Sequence, residues 1–91
     1  MSREYPEHIQ AQVLKAYLLD MHSHRRIQED ILQIPAPNHG GGFKTMEILH
    51  SYGIGGEKKG ALCRSSVDEE LATASDGYKA ALLLVKKYYA L

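Results

Sequence analysis

The chain has one cysteine, no tryptophan, one phenylalanine and three prolines in 91 residues, and its eleven lysines and arginines are cancelled by eleven acids. Each shortage excludes something. Cys63 has no intramolecular disulfide partner, so the fold gains no covalent staple and must hold by packing, as suits a reducing compartment. No apolar run approaches the roughly 20 residues needed to span a bilayer. The start, Met1-Ser2-Arg3-Glu4-Tyr5-Pro6-Glu7-His8, has acids and a proline where a secretory leader needs a basic and then an apolar stretch. A cytoplasmic protein without membrane contact is expected. Zero net charge argues against a generic polyanion binder. His22 and His24 are two residues apart, on different sides of any helix, and one cysteine adds little, so no metal site or cofactor is expected.

What is present is helical periodicity. Apolar and charged fractions of 44% and 24% are those of a globular domain. Its length is near the lower end of what buries a self-sufficient core, so a partner subunit would help. Pro6 suits a helix start, and Ile9, Val13, Ala16, Tyr17 and Met21 recur at three- and four-residue intervals, widened by Leu14 and Leu18. Ser23 is placed to cap a second helix over residues 24–33. In it Ile27, Ile31 and Ile34 share a side, while Arg25, Arg26, Gln28, Glu29 and Gln33 are left for water or a ligand. Pro35 ends it. A third helix over residues 43–52 groups Phe43, Met46 and Leu49 or His50 on one face, with Ile48 and Tyr52 flanking it, and Gly53 terminates it. Residues 54–63 read as a glycine-lysine loop with room for a short two-stranded β wing.

Ser66-Val67-Asp68-Glu69 is a capping box. Beyond it Val67, Leu71, Ala74, Tyr78, Ala81, Val85 and Tyr88 alternate four and three residues apart, which predicts one long helix to about Ala90 with Gly77 at a bend. Leu82, Leu83 and Leu84 make its second half apolar on more than one side, so a homodimer through residues 67–90 is expected. The fold expected is mainly α, a single domain of four helices with a helix-turn-helix-like centre, a β wing and a long C-terminal helix.

Charge gives the functional expectation. Between residues 22 and 64, Arg25, Arg26, Lys44, Lys58, Lys59 and Arg64 face Glu29, Asp30, Glu47 and Glu57, a mild positive excess. This suits double-stranded DNA binding in gene regulation, with the third helix in the major groove and Lys44, Thr45 and Ser51 at its surface. Gly41 and Gly42 would let helix-start amides meet a phosphate, and Arg25, Arg26, Lys58 and Lys59 would supply further phosphate contacts. The turn over residues 35–42 is longer than the 3 to 4 residues usual in the motif. The alternative is a helical protein-interaction or adaptor module without nucleic-acid binding. No enzymatic activity is expected. His39-Gly40-Gly41-Gly42-Phe43 is similar to the oxyanion-hole motif of lipases and esterases, over those five residues. However, the chain contains no Gly-x-Ser-x-Gly elbow and is too short for the hydrolase sheet.

Overall fold

The computed structural model describes residues 5–37 and 42–91. In chain order it contains α1 (Glu7–Leu18), α2 (His24–Ile27) continued by a π-helical turn (Gln28–Leu32), α3 (Lys44–Ser51), a 3-10 turn (Gly56–Lys58), α4 (Ala61–Arg64), α5 (Val67–Thr73) and α6 (Asp76–Tyr89). The fold is mainly α, and no strand occurs among the described residues. None of the helices described is long and apolar enough to cross a membrane.

Helix α1 is the spine. Pro6 sits at its N-cap rather than inside it, and the Pro6 carbonyl accepts the Ile9 and Gln10 N-H groups at 3.0 Å each. Glu7 in the first turn and Lys15 in the last both complement the helix dipole. Ala11, Val13, Leu14 and Leu18 are fully buried and Ala16 and Tyr17 nearly so, because α6 packs along one side and α2, the π turn, α3 and α4 meet the others. Met21 does not extend this stripe. The chain leaves the helix after Leu18, where the Leu19 and Asp20 N-H groups both donate to the Lys15 carbonyl, and Met21 is 53% exposed with φ of 59°.

Ser23 caps α2, its Oγ accepting the Arg26 N-H at 3.2 Å. After one α-helical turn the backbone widens into the π turn, whose Gln28 carbonyl accepts N-H groups from both Gln33 and Ile34. Gln33 is left-handed at φ 58°, and Pro35 has no N-H with which to continue. The second helix therefore ends about where its sequence predicts, but through a wider last turn.

Helix α3 ends as Gly53 dictates. The glycine adopts φ of 70°, its N-H donates to the His50 carbonyl and the Ile54 N-H to the Leu49 carbonyl, a Schellman pairing. Leu49 is buried as expected, but together with the flanking Ile48 and Tyr52 and with Thr45 rather than with Phe43 and Met46. The helix is rolled because Thr45 is fixed by buried polar partners. Residues 54–63 form no wing: the 3-10 turn leads through Gly60, at φ 71°, into α4. The Gly60 N-H donates to the Tyr17 carbonyl at 3.1 Å, which ties this segment to α1.

The capping box forms as expected, Ser66 Oγ accepting the Glu69 N-H at 3.1 Å and Glu69 Oε1 accepting the Ser66 N-H at 2.9 Å. The expected long helix is two. Ala74 and Ser75 are extended, and Ser75 Oγ caps α6 by accepting the Tyr78 N-H at 3.5 Å. A serine followed by aspartate offers the backbone a helix start that competes with continuation. Of the heptad-like seam, Val67, Tyr78, Ala81 and Val85 are buried in this chain's own core. Gly77 marks no bend. It lies in the first turn of α6, where a Cβ would come 2.7 Å from the Tyr52 carbonyl oxygen. In an open helix Gly→Ala gains up to about 1 kcal/mol, but here the end of α3 blocks the methyl. Gly77→Ala is therefore expected to lower the urea midpoint, and a raised midpoint would show that the α3–α6 contact yields.

Candidate functional site

Helix α3 is held at both ends by buried carboxamides. At its start Gln28, 3% exposed, accepts the Lys44 N-H at 2.7 Å and the Thr45 N-H at 3.3 Å on Oε1, while its Nε2 donates to the Pro35 carbonyl at 3.1 Å. Thr45 is 0% exposed, and its hydroxyl donates to the His24 carbonyl at 3.5 Å. At the other end the Tyr52 hydroxyl donates to Gln10 Oε1 at 2.5 Å, and Gln10 Nε2 donates to the Tyr5 carbonyl at 2.7 Å. Leaving such groups buried and unpaired would cost about 1–3 kcal/mol each, so the two glutamines fix where α3 lies.

This arrangement corrects two expectations. The first amides of α3, expected to meet a phosphate, already have an acceptor from inside the protein. Thr45, expected on the surface, is enclosed. Gly42 is exposed at φ 80° with open space where a Cβ would be, so its backbone angle rather than crowding calls for glycine. Gly41 lies outside the described residues, as do His39 and Gly40.

The other candidates fall into local pairs. Arg25 lies 3.6 Å from Glu29 and Arg26 3.6 Å from Asp30, both exposed one-turn pairs. Lys44 pairs with Glu47 at 3.6 Å, and Ser51 Oγ donates to the Ile48 carbonyl at 2.6 Å. Lys58 lies 3.8 Å from Glu70 and 4.6 Å from the Tyr78 ring centre. The Tyr78 hydroxyl donates to Glu70 at 2.7 Å, and burial followed by that bond keeps it protonated well above the ordinary tyrosine range. Lys59 bears instead on the His24 ring, where burial first, then Lys59 and His50, hold the imidazole below its ordinary pKa. Cys63 is exposed, its thiol donating to the Leu19 carbonyl at 2.7 Å.

Away from α3 a cleft of about 550 Å³ opens between α1, the turn after it, the π turn and the end of α6. Its lining is mixed: Ile9, Ala16, Ile31 and Tyr89 supply apolar surface, and Gln12, Lys15, Asp20, His22, Asp30 and Gln33 supply polar groups. Inside it Lys15 Nζ sits 3.1 Å from Asp20 Oδ2 and 5.4 Å from the Tyr89 ring centre, a cation held between a carboxylate and a π face. A smaller apolar pocket of about 220 Å³ lies between Leu19, Leu62, Val67 and Leu91.

Sequence reasoning left Gln28 to water or a ligand, whereas it is buried against α3, and it missed Gln10 and the cleft. Gln28 lies three and four residues before Ile31 and Leu32, and Gln10 three before Val13, so each occupies a phase where an apolar residue is expected. A glutamine at such a phase is the signal that was there to find. The cleft has no such signal, because its walls come from segments separated by more than fifty residues. No protein-family model, no curated protein and no solved structure matches this chain.

Gln28→Ala strips an acceptor from two helix-start amides and a donor from Pro35 at once, and should cost about 2 kcal/mol or more in urea unfolding. Arg25→Ala, which removes an exposed pair, should cost under about 1 kcal/mol. Equal effects for the two would show that the carboxamide does not fix α3.

Proposed function

We propose that this domain is a helical protein-interaction module and that the α1–π turn–α6 cleft is its working surface. The observation that carries this reading is the contrast between two regions. The start of α3 spends its amides, and the cations nearest it their charge, on partners within the chain. The cleft keeps Ile9, Ala16 and Ile31 within reach of a partner, and its two carboxylates, Asp20 beside Lys15 and Asp30 3.6 Å from Arg26, hold cations that a partner's cation can replace. An apolar side chain next to a lysine or arginine complements such a surface: the apolar part covers Ile9 and Ile31, and the cation takes the place beside Asp20 and Tyr89 that Lys15 now fills.

Double-stranded DNA binding is the second reading. The observation in its favour is the mild excess of lysine and arginine over acids between residues 22 and 64, which includes Lys59 beside the His24 ring. In that reading the chain pairs through residues 67–90, where Leu83, 49% exposed, and Tyr88 are the large apolar side chains of α6 left to a second copy. No enzymatic activity is proposed.

One set of titrations separates the readings. Short amphipathic peptides carrying leucine next to lysine should shift amide resonances of Ile9, Ile31 and Tyr89, and Asp20→Asn with Asp30→Asn should weaken them about fivefold or more. Duplex DNA should give no salt-dependent binding. Duplex binding that falls steeply with salt, with the slope flattened by Lys58→Ala and Lys59→Ala, would favour the DNA reading over the cleft. For the dimer, sedimentation at micromolar concentration should show a twofold species that Leu83→Asp dissociates; a monomer removes the pairing.

A further inference from the structure

His24 is held in a way that neither reading uses. Its ring stacks on Tyr17, centroids 5.2 Å apart and planes 21° from parallel, and the Phe43 ring lies 6.1 Å away at 39°. Nδ1 is buried and has no hydrogen-bond partner. The His24 carbonyl accepts the hydroxyl of Thr45, whose amide is the one Gln28 accepts. One residue thus touches α1 through its ring, the entry to α3 through Phe43, and the first turn of α3 through its backbone.

We propose that His24 is a proton-operated latch: neutral, it locks the first turn of α3 against α1 and α2, and protonated, it leaves the Tyr17–Phe43 stack and loosens that turn. Protonation would place an N-H at Nδ1 where the structure provides no acceptor, and a charged donor left so is more costly than a neutral nitrogen. The groups bearing on the ring are Tyr17 from α1, His50 from α3 and Lys59 from the segment before α4, while on its own helix Arg25 is engaged by Glu29. Glu57 bears on Tyr17, whose hydroxyl is pushed above its ordinary range mainly by burial. The attraction of the Tyr17 face for a cation works against release, but Lys59 and His50 work for it.

The sign of the pH dependence follows. Burial, then Lys59 and His50, lower the His24 pKa in the folded chain. Below about pH 6.5, the free value, the unfolded chain therefore binds the proton more readily. The latch is fully effective above that pH and weakens as pH falls toward the folded value.

The test is residue-resolved amide exchange, corrected for its intrinsic pH dependence, together with direct titration of the imidazole by NMR. Between pH 7.5 and 5, protection at Lys44 and Thr45 should fall about tenfold or more in the native chain and in His50→Gln. In His24→Phe, which keeps the stack but takes no proton, it should stay level. Should His24→Phe not fold, the native titration decides: the His24 ring and the Thr45 amide should titrate together. An imidazole that titrates while the Thr45 amide stays unmoved, or an equal loss of protection in His24→Phe, overturns the latch.

Discussion

Two buried carboxamides, Gln28 at the start of α3 and Gln10 at its end, set the position of α3 against α1 and α2. A carboxamide offers a donor and an acceptor on one rigid plane. Gln28 therefore caps α3 with one end and holds the proline exit of the preceding π turn with the other. Gln10 does the corresponding work through the Tyr52 hydroxyl, beside the Schellman turn that Gly53 makes.

Around that pair the stability is apolar. With no disulfide, the fold relies on a core in which Leu14, Leu18, Ile27, Ile48, Leu49, Ile54 and Leu82 are almost wholly enclosed, each contributing about 1.5–3 kcal/mol. The ion pairs along the surface, such as Lys86 with Asp68 or Lys87 with Glu7, are exposed and easily screened, so they add little to stability. Their arrangement still matters for function, since most of the cations that a polyanion would need have an acid within 4 Å.

Local chemistry was legible in the sequence. Ser23, the Ser66–Glu69 box and Gly53 each do what their side chains or backbone freedom dictate, because capping is decided within four residues. Periodicity misled where two helices happened to keep one phase across a break. The spacing from Val67 to Tyr88 continues through Ala74 and Ser75, but Ser75-Asp76 starts a new helix there. The face of α3 was misread for a different reason. Hydrophobicity alone favours Phe43 and Met46, whereas the buried face includes Thr45 because partners seventeen and twenty-one residues earlier satisfy its polar groups. Long-range hydrogen bonds of that kind leave little trace in a local pattern, and the cleft, assembled from α1, the π turn and α6, leaves none.

The functional account turns on one contrast: a short helix whose start is closed from within, and a cleft on the other elements that is open. Amides in the first turn of a helix ordinarily exchange freely, having no intrahelical acceptor. Hydrogen exchange at Lys44 and Thr45 at neutral pH therefore tests the account most directly. Both amides should be protected to a degree comparable with Leu14 in the core, and added inorganic phosphate should leave them unchanged. Exchange at the rate of an open helix start, or protection that appears once phosphate is added, would contradict it.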